Sequence, residues 1–161
     1  AVRPGGVGMT KTTIHVMTQQ HPRWEATIRC AETCSWRAGP QLADKMRRKD
    51  FTENERVLCA EIGGKIAGFC TVAEKDELPE GYDFTPFIGF VFVEEGFRGH
   101  RLSEKLIRTA LSWAGRNGWE KIYLMSGEIG LYEKYGFVKL GDYRTVYGST
   151  DQLFVRGTRE E

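Results

Sequence analysis

A dense apolar run, a basic turn and a strongly patterned segment follow one another in the middle of the chain. The apolar run covers residues 86–93 (PFIGFVFV), and the turn covers residues 96–103 (GFRGHRLS). The pattern then continues to Asn117-Gly118, which is a typical helix stop signal. Together the three segments predict a strand, a tight turn and a long helix. Apolar residues recur at the 3.6-residue period of an amphipathic helix, at Leu102, Leu106, Ile107, Ala110, Leu111 and Ala114.

A strand, a basic turn and a helix start can form an anion site. The first turn of a helix has N–H groups without intrahelical acceptors, and the helix dipole favours negative charge there. A phosphate-bearing ligand is therefore a natural candidate. Many connections of this kind bind nothing, so this stretch by itself leaves both interpretations open.

Length and charge narrow the class of protein. The chain has 161 residues, enough for one domain with its own core, and a formal net charge of +1. That charge gives no global field for nucleic acid or a membrane surface. No apolar run is long enough for a bilayer and no signal peptide is evident, so we expect a cytoplasmic protein. Residues 1–8 (AVRPGGVG) resemble an expression linker, which leaves residues 9–161 as a single domain starting at Met9.

The four cysteines are interpreted as structural thiols. Cys59 and Cys70 lie in apolar strand-like runs, where free cysteine packs as a small core residue. Cys30 and Cys34 lie one helical turn apart, but the three histidines show no ligand spacing around them. We therefore expect no metal and a reducing compartment. A near match to a phosphate-binding P-loop at residues 5–12 is rejected, because Thr10 replaces its last glycine.

The order of predicted elements indicates an α/β (α+β) fold. Residues 12–17 predict a strand, and helices are expected to begin at His21-Pro22 and at Gly39-Pro40, the second with Leu42, Met46 and Phe51 inward. A hairpin of residues 56–62 and 65–73 turns at Gly63-Gly64. Later elements are strands at 87–93, 120–125, 138–147 and 152–155, a short helix at 130–137, and a turn at 148–151.

The long helix connects two strands, which predicts one parallel pair inside a mixed, mostly antiparallel central sheet with helices on both faces. Two polar segments lie outside these elements. The basic cluster at residues 45–49 is interpreted as a solvated helix face. The acidic loop at residues 74–83 could draw a cationic amine toward a cleft, although a solvated loop is the commoner explanation.

Two segments together resemble the GCN5-related N-acetyltransferase (GNAT) superfamily. Residues 93–99 (VEEGFRG) before the long helix are similar to that family's acetyl-CoA motif, and residues 130–137 (GLYEKYGF) are similar to its later segment after the fifth strand. The element order agrees over residues 12–157. The resemblance implies a GNAT-like acyl-CoA acyltransferase fold and transfer of an acetyl group from acetyl-CoA, as co-substrate, directly to a primary amine.

The resemblance also implies where the co-substrate binds. The backbone of Val91 and Val93 would pair with the pantetheine arm, and Ser126 would lie near the thioester. The pyrophosphate would lie in a cradle formed by Arg98, Gly99, His100, Arg101, Leu102 and Ser103.

This chain departs from the family motif Gln/Arg-x-x-Gly-x-Gly/Ala in two places. Arg101 stands at the first glycine of the motif and Ser103 at the second small position. If the helix has begun by residue 101, that residue has an ordinary negative φ and glycine is not required. Arg101 would then be a substitute phosphate ligand, with its guanidinium beside the helix mouth.

Candidate catalytic groups follow from the same resemblance. Tyr132 stands where many relatives have the tyrosine that protonates the departing CoA thiolate. The alternative is that Tyr132 only packs a short amphipathic helix. A carboxylate must accept the proton of the ammonium, and Glu94 is the first candidate by position, with Glu128 second.

Two functions from different classes remain open at this stage. The first is an N-acetyltransferase, which Tyr132 favours, and the second is a non-catalytic acyl-CoA-binding domain with the same fold. The expected partner is a small-molecule or peptide amine, with neither nucleic acid nor membrane, and a homodimer is possible.

Overall fold

The computed structural model describes residues 11–159. The expected linker at residues 1–8 and nearly all of the P-loop-like segment therefore lie outside the described residues. Seven strands form one sheet in the order β1-β2-β3-β4-β5-β7-β6. They are β1 Thr12–Met17, β2 Arg56–Ile62, β3 Lys65–Ala73, β4 Phe87–Val93, β5 Lys121–Ser126, β6 Val138–Arg144 and β7 Thr150–Gly157.

Three α-helices flank the sheet: α1 Trp24–Thr33, α2 Gly39–Arg47 and α3 Leu102–Arg116. Two short 3₁₀ segments, Glu95–Phe97 and Tyr132–Tyr135, follow β4 and β5. The strands pair antiparallel except β4 and β5, which are parallel and joined by α3. The predicted fold class is confirmed, because a crossover helix returns the chain to the same end of the sheet and so makes its two strands parallel.

Helices cover both faces of the sheet, as the alternation along β2 shows. Leu58 and Ala60 face the core under α3, whereas Val57 and Cys59 face the core under α1 and α2. Successive strand residues point to opposite faces, so a strand covered on both sides is apolar throughout. All six predicted core positions of α3 are buried.

Three predicted boundaries were wrong. Helix α1 begins at Trp24 and not at Pro22, because residues 18–24 form turns closed by the His21 N–H on the Thr18 carbonyl and the Trp24 N–H on the His21 carbonyl, each 3.0 Å. Helix α2 ends at Arg47, and Phe51 instead packs edge-on against Trp24 from the following loop.

The last turn lies earlier than expected. The Thr145 N–H donates to the Ser149 carbonyl at 2.8 Å, so β6 ends at Arg144 and β7 begins at Thr150. The predicted strand at 138–147 was therefore too long and the predicted turn at 148–151 was displaced toward the C-terminus. The hydroxyls of Thr145 and Ser149, 2.8 Å apart, add a side-chain bond to this turn that apolar patterning does not reveal.

Candidate active site

A cleft opens where the two parallel strands separate. Strands β4 and β5 pair only at Phe87 with Tyr123 and at Ile88 with Leu124. Beyond these pairs the strands part, and a cleft of about 790 Å³ lies between them. Because ligands of open α/β sheets bind beyond the carboxyl ends of parallel strands, this opening is the candidate site.

A β-bulge in β4 accounts for the separation. Gly89 pairs with Thr71 and Phe92 pairs with Phe69, so Phe90 and Val91 together stand opposite a single residue of β3. Phe90 has φ 51°, a left-handed conformation that costs a non-glycine residue roughly 1–2 kcal/mol. A bulge bends its strand and increases the local twist, which turns β4 away from β5.

Tyr132 places a phenol hydroxyl at this cleft while its ring belongs to the core. The ring is 6% exposed and packs against Tyr135, Phe137 and Phe154. Burial, with a smaller contribution from the Glu128 carboxylate, raises the pKa of Tyr132 to about 12, and a hydrogen bond with Ser126 opposes the shift. A tyrosine hydroxyl already holds its proton at neutral pH, and this shift makes the proton harder to lose. The packing and catalytic interpretations of Tyr132 are thus compatible.

The residues that the sequence predicted for the co-substrate fall into two groups. Val91, Ser126 and Tyr132 line the cleft, as does Glu128. Val93 and residues 98–103 lie further along β4 and the turn into α3, outside the lining of the cleft. Glu94 also lies outside that lining, at the end of β4, where its N–H donates to the Ala67 carbonyl at 2.8 Å.

The segment predicted to hold the pyrophosphate leads into the first turn of α3. At the start of α3 the Lys105 N–H donates to the Arg101 carbonyl at 3.1 Å, so the amides of residues 102–104 precede the first helical hydrogen bond. Arg98 Nε donates to the Val93 carbonyl at 3.1 Å, which ties the turn to β4. Ser103 Oγ and Tyr135 Oη lie 3.1 Å apart and connect the helix start to the segment that carries Tyr132.

The expectation that the helix has begun by Arg101 was wrong. Arg101 is the N-cap residue of α3, with φ 59° and ψ 31°. This left-handed conformation is the one that glycine adopts without strain, which gives a physical reason for a glycine at this motif position. The Arg101 side chain is 81% exposed and its Nε lies 3.2 Å from Glu104 Oε1. A phosphate-binding role for Arg101 remains a prediction.

The sequence left open whether the acidic loop at residues 74–83 lies at a cleft or in solvent, with solvent the commoner explanation. Asp76 and Glu77 line the cleft. Burial raises the pKa of Asp76 to about 7, and the neighbouring Glu77 raises it further than Lys45 lowers it. Burial also raises the pKa of Glu77, as does Asp151, whose carboxyl shares a hydrogen bond with that of Glu77. Gly89 is a signal that could have been used, since glycine inside a strand marks a bulge or a close approach.

The basic cluster at residues 45–49 is also only partly a solvated face. Lys45 and Arg48 line the wall of the cleft opposite the acidic loop, with Trp36 and Gln41. Arg48 Nε already binds Asp44 at 3.1 Å. Residues 41, 45 and 48 recur at helical spacing, so one face of α2 and its C-cap forms this wall.

Comparison with known proteins places these features in a family. The model of the acetyltransferase (GNAT) family matches residues 21–137. No curated protein matches the sequence. In the described range 11–159, no group of three or more His, Cys, Asp or Glu side chains could hold a metal ion, and no helix is long and apolar enough to cross a membrane.

Solved structures agree in fold at low sequence identity. An aminoglycoside 6'-acetyltransferase type Ii superposes with a TM-score of 0.72 at 14% identity, covering 92% of this chain and 99% of that one. An aminoglycoside 6'-N-acetyltransferase from Enterococcus faecium gives a TM-score of 0.69 at 13% identity, covering 92% and 98%. The Escherichia coli N-acetyltransferase YhbS, in complex with CoA, gives 0.67 at 16% identity, covering 93% and 83%.

Proposed function

Because this chain belongs to the acetyltransferase (GNAT) family, we propose that it transfers an acetyl group from acetyl-CoA directly to a primary amine of a small molecule or peptide. The observation that carries the proposal is the position of Tyr132 in the lining of the cleft between β4 and β5. The family match supports acetyl transfer, and the cleft with its adjoining helix start supports a CoA thioester as the donor.

The residues present fit a CoA thioester. The bulged β4 presents Val91 to the cleft, where β5 no longer pairs with it, so backbone groups are available for a pantetheine amide. The amides of residues 102–104 at the α3 start suit a diphosphate. Bound there, acetyl-CoA supplies a thioester that is already activated, so no covalent enzyme intermediate is required.

The reaction needs two proton transfers, one from the acceptor ammonium and one to the departing CoA thiolate. An acceptor amine arrives as an ammonium and must lose a proton to a carboxylate before its nitrogen can form the C–N bond. When the C–S bond breaks, Tyr132 donates its proton to the departing thiolate. Glu94 lies outside the lining of the cleft, so the carboxylates that line it, Asp76, Glu77 and Glu128, are favoured over Glu94 as the proton acceptor.

The test is incubation with labelled acetyl-CoA and a panel of primary amines. We expect label to move to at least one amine and free CoA thiol to appear in equal amount. Acetyl-CoA should also raise the melting temperature in proportion to the logarithm of its concentration, because a ligand of the native state stabilises it. Stabilisation without transfer to any amine would instead support the non-catalytic acyl-CoA-binding domain, and absence of both effects would exclude either function.

A further inference from the structure

Three carboxyl groups that line the cleft, and a fourth that adjoins one of them, come from three separate segments of the chain. Asp76 and Glu77 follow β3, Glu128 follows β5, and Asp151 lies at the start of β7. The first three line the cleft, and Asp151 shares a hydrogen bond with Glu77. No single loop explains this convergence, since the segments are far apart in sequence.

Two of these carboxyl groups lie close to the backbone of the strands that flank the cleft. A Cβ atom at Gly89 of β4 would lie 3.4 Å from Asp76 Oδ1. A Cβ atom at Gly127, just after β5, would lie 3.6 Å from Asp151 Oδ1. Asp76 therefore lies against one flanking strand and Asp151 beside the end of the other, which places two negative positions on the two sides of the opening.

Lys45, Arg48 and Lys75 also line the cleft, but none of the three forms an ion pair with these carboxyl groups. Among residues 11–159, no ion pair joins any of the four carboxyl groups to a lysine, arginine or histidine. Asp76 accepts a hydrogen bond from the backbone N–H of Glu77. Lys45, across the cleft, has its ammonium 4.8 Å from the centre of the Phe51 ring, and it offsets only part of the repulsion at Asp76. Like charges this close to one another destabilise the ionised cluster unless a cation neutralises it.

An apolar surface lies next to the acidic groups. Val146 and Tyr147, which are 56% and 72% exposed, line the same cleft. The Val146 N–H donates to the Glu77 carbonyl at 2.7 Å, so the β6–β7 turn is fixed to the acidic loop. A hydrocarbon chain between two charged ends could pack on these side chains, and the face of the Tyr147 ring also attracts cations.

We propose that the acceptor carries at least two cationic amino groups, with Asp76 binding the reacting ammonium and the Glu77–Asp151 pair binding the second. A monoamine would leave the second position without a cation. An acceptor with a carboxylate in that position would add a like charge. The role given to Asp76 rests on the proposed acetyl transfer, whereas the preference for a dication does not.

The proton balance assigns one step to each group. The bound ammonium gives a proton to the Asp76 carboxylate, the freed lone pair forms the C–N bond, and the C–S bond breaks. Tyr132 donates its proton to the thiolate and is reprotonated as the new amide nitrogen loses its second proton. Asp76 releases its proton to solvent when the products leave, so one proton is released for each acetyl group transferred.

Binding measurements test the proposal without depending on turnover. Protein saturated with CoA is titrated by calorimetry with cadaverine, pentylamine and δ-aminovalerate, which share a five-carbon chain and differ in the far group. We expect cadaverine to bind at least about 10-fold more tightly than pentylamine, in line with one added charge-assisted contact, and δ-aminovalerate to bind most weakly. Equal affinities for cadaverine and pentylamine, or tightest binding of δ-aminovalerate, would overturn the proposal.

Variants locate the second cation. Asp151→Asn and Glu77→Gln should each lower the ratio of cadaverine to pentylamine affinity several-fold. The matched control is Glu80→Gln, an exposed carboxylate in the same loop that does not line the cleft, and it should leave the ratio unchanged. An equal loss in Glu80→Gln would show a diffuse field and overturn the assignment of the pair.

Transfer from labelled acetyl-CoA to the same amines separates the two proposals. Selective cadaverine binding without transfer would refute acetyl transfer and retain the dication site. Equal acetyl transfer to cadaverine and pentylamine at low amine concentration would support the acetyltransferase and refute the dication site.

Discussion

Asp76→Asn should stabilise the protein, and the gain should increase with pH. The pKa of Asp76 is raised from 3.8 to about 7 in the folded state, chiefly because burial disfavours its charge. Between these values the folded protein holds a proton that the unfolded chain has released, so stability falls as pH rises through this window. Asparagine has the same shape and no charge, and therefore removes this loss.

The size of the effect follows from the difference of about three pH units. Each unit corresponds to about 1.4 kcal/mol, so the raised pKa of Asp76 costs about 2 kcal/mol at pH 5 and about 4 kcal/mol at pH 8. The free energy of unfolding of Asp76→Asn should therefore exceed that of the natural chain by an amount that grows by about 2 kcal/mol between these pH values.

Urea unfolding at the two pH values measures this difference. The midpoint should move while the slope of the transition stays constant, which indicates a change in stability alone. Glu80→Gln in the same loop is the control, because its side chain is exposed. Two outcomes would refute the assignment of the pH-dependent loss of stability to Asp76. One is a gain in the stability of Asp76→Asn that does not depend on pH, and the other is the same pH dependence in Glu80→Gln. If Asp76 also binds the reacting ammonium, the stabilised variant should lose acetyl transfer.

Substitutions at three further positions examine other parts of the site and the sheet. Tyr132→Phe retains the buried ring and removes the proton donor, so turnover should fall about 100- to 10,000-fold with CoA affinity unchanged. An unchanged rate would show that Tyr132 only packs in the core. Arg101→Gly and Arg101→Ala both remove the guanidinium, but only glycine adopts the positive φ at this position without strain. The glycine variant should therefore be more stable than the alanine variant by about 1 kcal/mol in urea unfolding. If Arg101 binds phosphate, both variants should weaken CoA binding in calorimetry, and unaltered affinity would leave it as a surface residue. Gly68→Ala would place a Cβ atom 2.6 Å from the Phe92 carbonyl oxygen and should destabilise the protein by about 1–3 kcal/mol. If the variant had the same melting temperature as the unsubstituted protein, the close approach of β3 and β4 at this residue would be contradicted.

The sequence predicted those features that depend on local periodicity and turn chemistry. The apolar face of α3, the hairpin at Gly63-Gly64 and the bounds of β4 were each predicted correctly. The parallel pair followed from one rule, since a helix that connects two strands of a sheet returns the chain to the same end. Tyr132 was singled out by resemblance; it lines the cleft, and its catalytic role stays a prediction.

The shape and charge of the cleft were decided by tertiary contacts. The bulge at Phe90 arises from how β4 pairs with β3, and Arg101 takes a left-handed conformation as the N-cap residue of α3. Glu94 was favoured by its position in sequence, yet the cleft is lined by Asp76, Glu77 and Glu128. Loops carry no periodic signal, so an acidic loop in solvent and one folded into a cleft have the same sequence pattern. Only the packed structure determines which carboxyl groups are withdrawn from water, and so which of them hold protons that an enzyme can use.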